Sequence, residues 1–252
     1  MRINTPKLLF AISVNTIIIV FLFIAPIPQN LSYHSFADKL TIFSTNNFWN
    51  VISNFGFIIT GIYGLYITAK FKKVLHYNIV LFSGIILTAF GSAYYHYNPN
   101  NETLLWDRLP MTIVFTTFFA QLYSWYFSKK TGFTIWIIGL ILGVFSVFYW
   151  KHTESIGKGD LRLYAIVQFL PIVLMLIILG LHYNKHKPLI KPFILIIVWY
   201  VFAKFLEHYD YQILSFTKII GGHPMKHVAA AVATFYIVVM VRNYRLSNVS
   251  DS

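Results

Sequence analysis

Apolar residues run along this chain in stretches of about 20, the length a helix needs to cross a hydrocarbon core of about 30 Å. The stretches predict eight spanning helices, near residues 8–27, 47–69, 76–97, 107–128, 133–150, 162–183, 192–213 and 223–242. Only the first two are joined by a connection of any size, residues 28–46. Continuous runs such as FTIWIIGLILGVFSVFYW read as helices, because a barrel strand would alternate over about ten residues. No soluble domain, repeat or low-complexity tract is left over.

The first span has a second reading. Arg2 and Lys7 ahead of an apolar run also suit a secretory signal, but Ala25-Pro26-Ile27 is a poor small-x-small cleavage site, so a retained anchor is expected. The fold class expected is therefore an all-α polytopic membrane protein, a seven-helix core with one extra N-terminal helix.

Composition agrees with lipid as part of the solvent. Of 252 residues, 57% are hydrophobic and 11% charged, against roughly 25% charged in a soluble domain. The absence of cysteine excludes disulfides, thiolate nucleophiles and Cys-ligated metals, so a metal would need His, Asp or Glu. The net charge of +12 is spread in short clusters between apolar runs, not along one basic face, which argues against nucleic acid.

Those clusters set topology instead. Arg2 and Lys7; Lys70, Lys72 and Lys73; Lys129 and Lys130; Lys185, Lys187 and Lys191; and Arg242 and Arg245 fall on one side if eight helices alternate. That side is expected to be cytoplasmic, with both termini inside. The opposite connections carry Asp38, Glu102, Glu154 and Asp160.

Polar residues within spans are costly and mark function, so depth is the useful coordinate. Ser92 and His96, four apart at the outer end of the third span, share a helical face. Asp107 is expected to open the fourth span at the same end, in its first turn and three residues before Pro110. The last span begins Gly221-Gly222-His223-Pro224-Met225-Lys226-His227, with Pro224 suited to a first turn and two histidines one turn apart. Zincin proteases place a Glu between such histidines, and none is present here. His96, His223 and His227 at one boundary amount to three imidazoles and an open position, the ligand set of a catalytic zinc.

The arrangement Ser92-x-x-x-His96, Asp107-Arg108-Leu109-Pro110-Met111 and His223-x-x-x-His227 resembles the alkaline ceramidases, and more broadly the membrane hydrolase superfamily that includes the adiponectin and progestin receptors. The likeness begins at Asn47-Phe48-Trp49-Asn50-Val51-Ile52-Ser53-Asn54, similar to the ceramidase pattern Glu-Phe-x-Asn-Thr-x-Ser-Asn, and runs into the last helix. It implies a domain over 47–245, preceded by an added anchor and loop over 1–46 and followed by a tail over 246–252.

It also implies zinc on His96, His223 and His227, and cleavage of the amide between a fatty acid and a sphingoid base. Asp107 would orient or deprotonate the attacking water, and Ser92 would support the oxyanion or that water. Zinc brings the pKa of bound water to about 7, so a metal-bound hydroxide would attack without a side-chain nucleophile. Animal alkaline ceramidases bind calcium through an acidic segment at the start of the core. Here Asn47 replaces the Glu and Phe43-Ser44-Thr45-Asn46 is uncharged, so no calcium site is expected.

Glu207 and Asp210, three apart in the seventh span, are expected on one face, where they could accept the free N–H of a zinc-bound histidine. The plainer alternative is an internal ion pair, Lys204 with Glu207 or Asp210 with Lys226. Asn50, Ser53 and Asn54 suit interhelical hydrogen bonds, each contributing about 0.6–2 kcal/mol. His34, His76, His152, His182 and His186 fall in connections or at the opposite end and are read as non-ligands, and His208 as structural.

The function expected is a zinc-dependent integral-membrane hydrolase of a ceramide-like lipid, with the bilayer supplying substrate. The alternative is a lipid-sensing receptor or structural protein in which zinc ties helices together. No inverted repeat favours a transporter. Asn101-Glu102-Thr103 is a glycosylation triplet in an outward connection, but such triplets are common by chance, and the expected location is a bacterial cytoplasmic membrane with the site exoplasmic, or else endoplasmic reticulum or Golgi.

Overall fold

The computed structural model describes residues 4–71 and 76–249, all of its regular structure helical; Arg2, Lys72 and Lys73 of the basic clusters lie outside the described residues. The helices are α1 (Thr5–Phe23), α2 (Phe48–Ile52), α3 (Phe55–Ala69), α4 (His76–Tyr97), α5 (Asn101–Tyr126), α6 (Lys129–Ser155), α7 (Arg162–Leu181), α8 (Ile190–His208), α9 (Asp210–Thr217) and α10 (Gly222–Val249). Among the described residues seven segments are long and apolar enough to cross a membrane, the first being α1 and the last lying in α10. The exception to the eight-span pattern is α5. It has 26 residues, but Thr112, Thr116, Thr117 and Gln121 interrupt the stretch that follows its charged first third and take it out of the purely apolar class.

The chain forms two compact units, one of residues up to 30 with 111–185 and the other of residues 31–110 with those from 186 onward. In the first, α7 packs against α1 and α6. Asn4 caps α1 by accepting from Lys7 N at 3.2 Å, and Ser128 caps α6 by accepting from Thr131 N at 3.2 Å. Arg162 grips Asp160 at the start of α7, with Nη2 2.7 Å from Oδ2.

In the second unit α10 lies against α8 and α3, α3 against α4, and α2 against α4. The buried positions of α4, Leu81, Ile85, Thr88, Ala89, Ser92, Tyr95 and His96, recur at three- and four-residue spacing, so the apolar stripe that docks the helix also carries Ser92 and His96 inward.

Three boundaries differ from the sequence expectation, each for a local reason. The 47–69 span is interrupted at Ser53 and Asn54, whose Oγ and Nδ2 both donate to the Asn50 carbonyl, at 3.2 and 2.8 Å, in competition with a helical amide. Asp107 is not in a first turn, because α5 starts at Asn101, where Asn100 Oδ1 accepts from Glu102 N and Thr103 N at 2.8 and 3.0 Å. The 192–213 span ends at His208, and Asp210 begins the separate helix α9 after Tyr209 leaves helical geometry at φ −99°, ψ 26°. Glu207 and Asp210 therefore do not share one continuous helical face.

Pro110 stays within α5 and has no N–H for the Trp106 carbonyl one turn back. That oxygen abuts Gly91 of α4, where a Cβ would stand only 2.0 Å away. Any larger residue at 91 would push apart the two helices that carry Ser92 and Asp107.

Candidate metal centre

His96 at the end of α4 meets His223 and His227 in the first turns of α10. All three are buried, their ring centroids are 4.8, 4.8 and 5.0 Å apart, and one nitrogen from each lies within 4.8 Å of the others. No fourth His, Cys, Asp or Glu joins them among the described residues, so the donors are three neutral imidazoles. His96 Nδ1 is buried without a hydrogen-bond partner, a state that buried polar atoms rarely keep unless something else is bound. The set fits a borderline divalent cation such as zinc, with a position left open.

Each histidine is held from behind. Ser53 Oγ lies 2.8 Å from His227 Nδ1 and gives its own proton to the Asn50 carbonyl, so it must accept from Nδ1–H. That fixes the tautomer and leaves the His227 Nε2 lone pair for a metal. Asn47, left-handed at φ 48°, donates from Nδ2 to the His96 carbonyl at 2.8 Å. The backbone N–H of His223 donates to Asp210 Oδ1 at 2.8 Å, and the close approach of Gly222 makes this possible, since a Cβ there would stand 2.1 Å from the Leu206 carbonyl.

We expect Ser53→Ala to lower zinc affinity about 10- to 100-fold without removing a ligand, the usual cost of losing a partner behind a metal-bound histidine. Competition with a chromophoric chelator would measure it.

Ser92 is buried and hydrogen-bonds the carboxylate of half-buried Asp107. A hydroxyl has one proton to give. Given to Asp107, that proton ties the end of α4 to the carboxylate on α5.

Glu207 and Asp210 do not accept from an imidazole N–H, as one sequence reading had it. Glu207 Oε1 binds Lys226 Nζ at 2.7 Å and Oε2 binds Lys204 Nζ at 2.7 Å. The ion pair Lys204–Glu207 was expected, whereas Lys226 pairs with Glu207 and not with Asp210. Asp210 is committed to backbone, accepting from Ala37 N at 2.9 Å as well as from His223 N. The physical reason is the break at Tyr209, which turns Asp210 toward the start of α10.

Sequence reasoning missed the part played by residues 33–38. Phe36 is buried with its ring 4.6 Å from that of His96 and 4.5 Å from that of His223. Asp38 accepts from Trp49 N and Asn50 N at 2.8 and 3.2 Å, capping α2 just ahead of Ser53. His34 accepts at Nδ1 from Tyr95 Oη and donates from Nε2 to Asn101 Oδ1, both at 2.9 Å. Burial holds the His34 imidazole below its ordinary pKa and Arg108 adds to this, outweighing the bond to Asn101. The segment looks like a bare connection in sequence because its contacts come from isolated residues without a period. The other histidines read as non-ligands stay outside the cluster: His182 bonds Thr5 Oγ1 at 2.9 Å, and His208 is exposed.

No curated protein matches the sequence. The family model described as Ceramidase matches residues 40–252, which takes in every residue of the histidine cluster, the Ser92–Asp107 pair and the Lys204–Glu207–Lys226 group. Family membership supports a lipid amide hydrolase, and the three histidines could hold the metal such chemistry uses. With a match over most of its length, the chain belongs to the ceramidase family.

Proposed function

We propose that the protein is a zinc-dependent integral-membrane hydrolase that cleaves the amide of a ceramide-like lipid. The observation that carries this reading is the conjunction of three convergent imidazoles with a hydrogen-bonded Ser92–Asp107 pair, at one end of the unit in which both lie. His96, His223 and His227 would hold zinc, which when bound supplies a lowered pKa for water and polarisation of the carbonyl.

The remaining steps belong to the chain. Asp107, aimed by Ser92, takes a proton from water as the water oxygen bonds to the amide carbon and the carbonyl π pair moves onto oxygen. Return of that pair breaks the C–N bond, and Asp107 gives the proton to the leaving nitrogen. A fatty acid and a sphingoid amine result, and transfer of the acid's proton to the amine leaves a carboxylate and an ammonium. Phe36, against two of the three imidazoles, excludes water from that side of the ligand set and keeps the rings from turning.

Three ligands without a fourth among the described residues favour turnover over a closed structural zinc. The histidines stand at the ends of α4 and α10 opposite to His76 and Arg242, and basic residues such as Lys70 and Lys191 mark the other ends of α3 and α8. By the positive-inside bias this supports an exoplasmic site with cytoplasmic termini, and we read the membrane as a bacterial cytoplasmic one, with endoplasmic reticulum or Golgi as the alternative.

The test is hydrolysis of a defined ceramide by the full chain in detergent. Equimolar fatty acid and sphingoid base are expected, lost on chelation and restored by zinc. A folded protein that binds zinc yet releases neither product from any amide-linked lipid would favour the receptor reading.

A further inference from the structure

We propose that Lys226 is a further catalytic residue: its ammonium receives the negative charge that develops on the amide oxygen and then holds the carboxylate of the released fatty acid. The inference rests on the lipid-amide-hydrolase reading and assigns it a charge-stabilising group.

Lys226 Nζ stands 3.1 Å from His223 Nε2, on the border of the histidine cluster. Whatever the three imidazoles gather is therefore within reach of this charge. The side chain is 19% exposed and is held at 2.7 Å by Glu207 Oε1, which fixes it across the first turns of α10. The electrostatic surroundings of Lys226 include Asp107 and Tyr33 as well as Glu207.

Two features set this apart from an ordinary ion pair. Glu207 is shared, with Lys204 on its second oxygen at 2.7 Å, so one carboxylate is divided between two ammonium groups and does not by itself cancel the charge on Lys226. In a weakly screened site, a fixed positive charge attracts negative charge as it forms. Ser92 also cannot meet a developing oxyanion while its proton is on Asp107. Lys226 has three N–H donors, of which Glu207 Oε1 takes one and His223 Nε2 lies within reach of a second. A donor remains for a substrate oxygen without breaking the pair that positions the side chain.

The proposal predicts that Lys226→Gln folds and keeps its zinc, because Lys204 still partners Glu207. Its kcat for ceramide is expected to fall about 10²- to 10³-fold, the range seen when one oxyanion donor is removed, with KM changed only a few-fold. Binding of oleate, followed by intrinsic tryptophan fluorescence in detergent, is expected to weaken at least about tenfold, since a charge-assisted hydrogen bond is lost. Lys226→Arg should recover part of the oleate affinity. If the single variant does not fold, Lys226→Met with Glu207→Leu removes both partners and leaves no buried uncompensated charge. It should show the same two losses.

Wild-type kcat and oleate affinity in a folded Lys226→Gln protein would overturn the proposal and leave Lys226 as a tie between α8 and α10. Loss of zinc with the lysine would overturn it too, by making Lys226 a support for the ligands. Oleate binding that depends on Lys226 in a protein that hydrolyses no ceramide would uphold the carboxylate site while the hydrolase reading fails.

Discussion

Asp107→Asn is expected to abolish most turnover while leaving the metal in place. The substitution keeps size and shape, and its amide oxygen can still accept from Ser92, so the contact between α4 and α5 at Gly91 and Trp106 is undisturbed. What it removes is the capacity to take a proton from water and return it to the leaving nitrogen. Positioned general acid–base groups contribute about 10²- to 10⁴-fold, and a fall of that size in kcat is expected. Zinc per chain should match wild type, because Asp107 is not among the three residues that could share the metal. Loss of zinc in this variant would recast Asp107 as a ligand, and retained turnover would sink its role as base. Wild-type kcat should also show an acidic limb in its pH profile that the residual activity of the variant lacks.

The reason Asp107 could be chosen from sequence, and the reason its surroundings were misjudged, is the same. A carboxylate beside an apolar run is conspicuous, but the start of its helix is set by Asn100, a capping residue with no special mark among Asn98, Asn100 and Asn101. Long apolar runs and i,i+4 pairs are one-dimensional signals, so the spans, Ser92 with His96, and His223 with His227 were legible. Contacts between segments far apart in sequence were not. Ser53 behind His227 joins positions 174 residues apart, and only the polar break in the second span hinted at it. Phe36 could not be told from any other loop aromatic. Lys226 did give a signal, a charge inside a His-x-x-x-His turn, but its partner depended on where α8 ended. Without the break at Tyr209, Asp210 was as good a candidate as Glu207.

Removing His227 tests the ligand set itself, and its expected outcome is complementary to that of Asp107→Asn. His227→Ala leaves two imidazoles, His96 and His223, and two neutral donors hold zinc far less firmly than three. Purified protein is expected to carry about one zinc per chain in wild type and almost none in His227→Ala, measured by elemental analysis with no metal added. His208→Ala is the control. It also removes a histidine from the same unit, but from an exposed position outside the cluster, and its zinc content should be that of wild type. Stability helps to assign the cause. His227 joins α10 to the α2–α3 junction through Ser53, so part of any loss in thermal stability is from that hydrogen bond, about 0.5–1.5 kcal/mol. The rest should follow zinc, because a ligand that binds only the folded state raises its stability with concentration. Added zinc should therefore raise the melting temperature of wild type and of Asp107→Asn but not of His227→Ala. If zinc stabilises all three equally, it binds elsewhere, and the three buried histidines would need an explanation other than metal.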